Sequence, residues 1–185
     1  MADSVIIPHI IGTVSLLMIF FSIGSFYQDY YASLHQEAYE VQLKQIADYV
    51  ASNLIDLVTL NEIIDEDACL IKTIGIPYSI GENLYNVSLI TMTSSGGDVR
   101  VIKVIAFIEK LNLYAMVDLP WSVDSRIVIY TNQTIPRSDV YPANNIISSK
   151  ASAESIRTGK PASMIVWSFK DGGQIVIGLG TVDRS

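Results

Sequence analysis

The stretch VIIPHIIGTVSLLMIFFSIGSF, residues 5–26, contains no Asp, Glu, Lys or Arg, and it decides the fold. Its 22 residues, wound as a helix rising about 1.5 Å per residue, span the ~30 Å hydrocarbon core of a bilayer. This run explains how a chain with a pI near 4.7 reaches a mean hydropathy of +0.36 and a hydrophobic content of 50%. A secretory signal would carry basic residues ahead of a shorter apolar core, whereas Met1-Ala2-Asp3-Ser4 has none and the run is long. The segment is therefore expected to stay with the chain as an anchor. Gly12, Gly24 and several Ser and Thr residues lie among Ile, Leu and Phe, a texture that lets helices approach closely.

Beyond Phe26 the helical period continues but changes character. Tyr27, Tyr31, Leu34, Ala38 and Val41 recur at alternating four- and three-residue steps, and after a slip of phase the stripe resumes at Ile46, Val50, Leu54 and Leu57. No Gly or Pro interrupts residues 25–66. One helix over residues 4–58, ~80 Å long, is the expectation, with Pro8 tolerated in its first turns or kinking them. The candidate assembly residues are Ile10, Ile11, Gly12, Leu16, Leu17, Ile19, Phe20, Ile23, Gly24, Tyr27, Tyr31 and Leu34. Tyr27, Tyr30 and Tyr31 fit an aromatic belt at a membrane boundary or, equally, helix packing.

From Cys69 onward the period shifts from helical to alternating, with β-branched and aromatic runs separated by Gly, Asn, Asp and Pro. Strands are expected over residues 69–74, 84–93, 99–109, 112–118, 126–132, 163–170 and 174–182. Ser95-Gly96-Gly97-Asp98 and Asp171-Gly172-Gly173 supply hairpin turns. Residues 136–145 read as loop, and 146–157 are ambiguous between a short helix and a strand with a loop. The chain is thus α+β, with an N-terminal helix within residues 1–60 and a β-rich head over 61–185. The head is a sandwich of immunoglobulin-like size or, alternatively, one sheet curled on the helix. Either arrangement covers the stripe along residues 43–57 and leaves residues 27–41 to other copies or other proteins.

A formal net charge of -7, with 12 basic against 19 acidic residues and no basic cluster, argues against nucleic acid. Cys69 is alone and reads as a small buried hydrophobe. The only histidines, His9 and His35, lie in the helix, so the head holds no imidazole for a serine triad or a zinc site. Glu62, Asp65, Glu66 and Asp67 match no calcium loop and read as a solvated helix end. Gly178 and Gly180 lie inside a strand, where they mark a bulge or a close contact. No active site, metal or cofactor is expected. Neither flank of the apolar run has enough Lys or Arg to set its orientation. Asn86-Val87-Ser88 and Asn132-Gln133-Thr134 are glycosylation acceptor patterns beyond the anchor, and they favour a head outside the cytoplasm.

An apolar N-terminal helix, an amphipathic continuation and a β-rich acidic head with acceptor tripeptides resemble the archaeal type IV pilin superfamily, archaellins included. Ile6-Ile7-Pro8-His9-Ile10-Ile11-Gly12-Thr13 is similar to the Pro-x-Ile-Gly-Thr opening of archaeal pilins. The resemblance implies a filament subunit whose partners are copies of itself, with apolar helices bundled into a dry core and β-heads forming a sheath. Before assembly the helix sits in the membrane, and the head faces surface-layer or glycan partners. The alternative is a membrane-anchored binding or stator-like protein of the archaellum type, favoured by the lack of a basic residue before Val5.

Overall fold

The computed structural model describes residues 3–64, 66, 68–93, 100–122, 126–129, 150–152, 162–171 and 173–183. The order is helix α1 (Asp3–Ile63), β1 (Cys69–Ile74), β2 (Asn86–Thr93), β3 (Arg100–Ile108), a 3₁₀ turn (Glu109–Leu111), β4 (Leu113–Ser122), β5 (Ile127–Ile129), β6 (Lys150–Ser152), β7 (Ala162–Asp171) and β8 (Gln174–Asp183). The chain is α+β, a long apolar N-terminal helix followed by a β-sandwich-like head of two four-stranded sheets. It divides into two compact units, Met1–Tyr39 and Glu40–Ser185, so residues 40–63 of α1 belong with the β-strands.

Sheet 1 has the order β1-β7-β8-β5, antiparallel except for the β5–β8 pair. Its polar contacts identify the face that meets α1. Asn61 Nδ2 donates to Ser168 Oγ at 2.9 Å, and Lys72 pairs with Asp56 at 3.7 Å. Lys170 Nζ donates to the Ile64 carbonyl just past the end of α1. Ser168 and Lys170 alternate along β7, and Lys72 in β1 lies opposite Val166, so all of them leave the sheet on one side. Against that side α1 buries Leu43, Ile46, Ala47, Val50, Ala51, Leu54, Leu57 and Val58. Each large apolar side chain so buried stabilises by about 1.5–3 kcal/mol relative to exposure. The opposite side of sheet 1 holds Ile165, Trp167, Phe169 and Val176, with Cys69 packed against them.

Sheet 2 has the order β4-β3-β2-β6, all antiparallel. Its inner face buries Val87 and Leu89 of β2, Ile102, Val104, Ala106 and Ile108 of β3, and Leu113 and Leu119 of β4. The connection from β1 to β2 is pinned by Tyr85, whose buried ring sends its hydroxyl back to the Pro77 carbonyl. Asn112, at φ 52°, turns β3 into β4, and Gly173, at φ 89°, turns β7 into β8.

The head is the expected pair of sheets and not the alternative, a single sheet curled on the helix. Helix α1 runs to Ile63 rather than 58, because Asn61 and the Lys170 contact hold one more turn against β7. The ambiguous segment 146–157 contributes β6, a three-residue strand paired with β2. Strand β4 continues through Pro120 to Ser122. Its partner among the described strands is β3 alone, and an edge position tolerates the missing amide. The antiparallel β2–β3 pairing agrees with a hairpin at Ser95-Gly96-Gly97-Asp98, although those four residues lie outside the described ones.

Candidate assembly surface on the N-terminal helix

Residues 9–38 of α1 are exposed throughout. The proposed assembly side chains Ile10, Ile11, Leu16, Leu17, Ile19, Phe20, Ile23, Tyr27, Tyr31 and Leu34 are all exposed, with Phe20 73% accessible. An 18-residue window of this helix has a mean hydropathy of 1.9 with none of it buried, so by length and composition it can cross a membrane. A helix apolar all round is one that finds its burial in lipid or in protein.

Two details fit a dry environment. Thr13 Oγ1 donates to the His9 carbonyl and Ser22 Oγ to the Met18 carbonyl, each at 2.8 Å. Both hydroxyl donors are satisfied inside the helix and need no water. The second detail concerns Gly12 and Gly24: a Cβ added at either would meet no atom within 4 Å. Each glycine lowers helix stability by about 1 kcal/mol relative to alanine, and the chain's own packing gives no return for it. Close approach by a second helix does give one.

Aromatic rings follow the apolar run. Phe26 and Tyr27 sit edge to face at 6.3 Å, as do Tyr30 and Tyr31. His35 and Tyr39 lie at the same separation, tilted.

Within the head, an open groove of about 500 Å³ is lined by Gln42, Gln45, Ile46, Tyr49, Gly75, Ile76 and Pro77. Amides and a phenol line it, without a carboxylate, imidazole or thiol for proton transfer or nucleophilic attack. Among the described residues no three His, Cys, Asp or Glu side chains come together. Glu62 and Glu66 are exposed, while Asp65 and Asp67 lie outside the described residues. Cys69 is half-buried, and burial pushes its thiol above the ordinary value.

Sequence reasoning missed the outer face of sheet 2. The register stacks three rows across β2, β3 and β4: Asn86, Phe107 and Tyr114; Ser88, Ile105 and Met116; Ile90, Lys103 and Asp118. Lys103 and Asp118 form an ion pair at 2.8 Å, and Tyr114 is 58% accessible. The signal was present in Val101-Ile102-Lys103-Val104-Ile105-Ala106-Phe107-Ile108, where both parities are largely apolar instead of one. Asn86, the first glycosylation candidate, is half-buried in β2; Asn132, the second, lies outside the described residues.

Comparison with known proteins yields no relative: no family model, curated protein or solved structure matches the chain.

Proposed function

We propose that this chain is a structural, non-catalytic subunit of an extracellular filament of the archaeal type IV pilus class, assembled through its N-terminal helix. The observation that carries this reading is the apolar, wholly unburied segment of α1 with its two open glycines. Leaving the ten Ile, Leu, Met and Phe side chains of residues 10–26 in water forfeits on the order of 10–20 kcal/mol, as much as the whole stability of a typical domain. The helix must be covered. Its backbone hydrogen bonds are internal, so exchanging lipid for sister helices leaves none of them open. Identical contacts that do not close on themselves propagate into a helical polymer, with the β-heads on its outside.

In a second reading the same helix anchors a single head in the membrane, which the ring pairs at residues 26–31 favour as a boundary belt. Electron microscopy of sheared surface appendages, with antibody against the head, separates the two. Regular labelling along fibres supports the filament. Label confined to the membrane, with a chain that detergent extracts as a monomer, overturns it in favour of the anchor.

A further inference from the structure

The open groove between α1 and the stretch after β1 is braced on both sides and neutral. One wall is Gln42, Gln45 and Tyr49 of α1, three and four residues apart on one flank of the helix. Glu40, Lys44 and Asp48 follow the same period on a different flank, and none of them lines the opening. Leu43, Ile46 and Val50, all buried in the head, hold this wall in place. The other wall is Gly75, Ile76 and Pro77. It is fixed at both ends, by buried Ile74 and by the Tyr85 hydroxyl, which donates to the Pro77 carbonyl. A groove so braced needs little ordering when a ligand enters. The chain itself does not require glycine at residue 75: its φ lies outside the left-handed region, and a Cβ there would meet nothing within 4 Å. The missing side chain instead leaves room in the groove that Gly75 lines.

We propose that this groove binds a neutral oligosaccharide, a stretch of a glycan chain on a surface outside the cell; the outside location rests on the proposed function. The chemistry of the lining selects this ligand class. Each glutamine amide offers a carbonyl acceptor and two N–H donors, which match sugar hydroxyls that donate and accept at once. The Tyr49 ring, 46% exposed, gives the C–H bonds of one pyranose a face to pack on, and leaves the hydroxyls to the amides. Among the described residues no carboxylate or ammonium lines the groove, so a charged ligand would lose water there without gaining a partner. The volume of about 500 Å³ lies in the range of small-molecule sites, and the open form lets a chain pass through instead of enclosing one free sugar. The rival occupant is an extended peptide. Its recognition uses a strand edge or a row of aromatic rings, and one ring lines this groove.

The test takes the full isotope-labelled chain in a phosphocholine detergent, which carries no sugar, and reads the Gln42 and Gln45 side-chain amides and the Tyr49 ring by NMR. Maltotriose, cellotriose, mannotriose and chitotriose are titrated in turn. Decaproline serves as the rival peptide, and neutral glycopeptides cleaved from the cells' outer surface as the tethered source. At least one trisaccharide should shift all three side chains saturably, with a Kd on the order of 1 mM, and the glycopeptides should compete with it. Tyr49→Ala should weaken binding about tenfold and Gly75→Leu should abolish it, while both keep the native backbone spectrum. No saturable shift with any of the four sugars overturns the proposal. So does affinity that Tyr49→Ala and Gly75→Leu leave unchanged, or binding of decaproline alone. Free trisaccharides that bind where the glycopeptides do not overturn the surface source. Because binding is read on the purified chain, it can fail while labelled fibres still appear, which separates its failure from that of the filament.

Discussion

Trp167 lies flat against the backbone of Gly178, its partner across β7 and β8, and a Cβ placed on that glycine would sit 2.3 Å from the indole Cζ2. The indole is 1% exposed among Ile165, Phe169 and Val176 and has nowhere to retreat. Gly178→Ala should therefore destabilise the head by about 1–3 kcal/mol, the usual cost of overpacking, although alanine is otherwise better than glycine in a strand. Chemical denaturation measures it, and an unchanged midpoint would show that the sheet absorbs the methyl. Sequence spacing marked this glycine as a bulge or a close contact inside a strand, but not Trp167 as its partner, because cross-strand register is set by packing over the whole sheet. Tyr85 carries the second residue-scale consequence. Burial raises its phenol well above the ordinary value near 10. Between the unfolded and folded values the unfolded chain binds fewer protons, so stability falls as pH rises past about 10. Tyr85→Phe should lose about 0.5–1.5 kcal/mol at neutral pH with the hydrogen bond to Pro77 and should flatten the alkaline decline. Denaturation midpoints across pH 8–11 read both, and an equally steep decline in Tyr85→Phe assigns the alkaline loss to other groups.

Helix α1 is one element with two kinds of surface. Leu54 is fully buried in the head, whereas Leu34 is exposed. Leu54→Ala should cost about 2–5 kcal/mol of head stability. Leu34→Asp should leave that stability within about 0.5 kcal/mol and instead abolish association of the full chain, since a carboxylate without a partner is costly between packed helices. Thermal melts and sedimentation in detergent separate the two effects. If Leu34→Asp chains associate like the native protein, residue 34 lies outside the contact. The stripe through Ile46, Val50, Leu54 and Leu57 was legible because helical periodicity is local and strong. The helix end was not, since the chain lacks a Gly or Pro stop there and the last turn is fixed by Ser168 and Lys170, more than a hundred residues away. The short strand β6 was illegible for the same reason: its pairing with β2 is tertiary. The extension of β4 was hidden by Pro120, which suggests a strand end unless the strand is known to lie at an edge.

At the scale of the whole molecule, the compact unit that holds the sheets begins at Glu40, inside the helix and about thirty residues before the β-strands' own sequence signal at Cys69. Residues 43–58 supply eight buried apolar side chains to the head, and removing them strips sheet 1 of the apolar surface that covers Met164, Val166 and Leu179. That loss is on the order of 10–20 kcal/mol, more than a domain of this size retains as net stability. Residues 1–39, in contrast, bury none of their described side chains. A fragment starting at residue 40 should therefore unfold cooperatively, stay soluble and sediment as a monomer, because the apolar run is gone and the core is whole. A fragment starting at residue 61 should lack near-ultraviolet circular dichroism and aggregate. Should the shorter fragment fold as well as the longer one, the helix is an attachment to a self-sufficient sheet pair, and the division of α1 between core and assembly fails. Should the longer fragment polymerise, contacts between heads outweigh the helix, and the filament's cohesion has to be sought on the sheets instead.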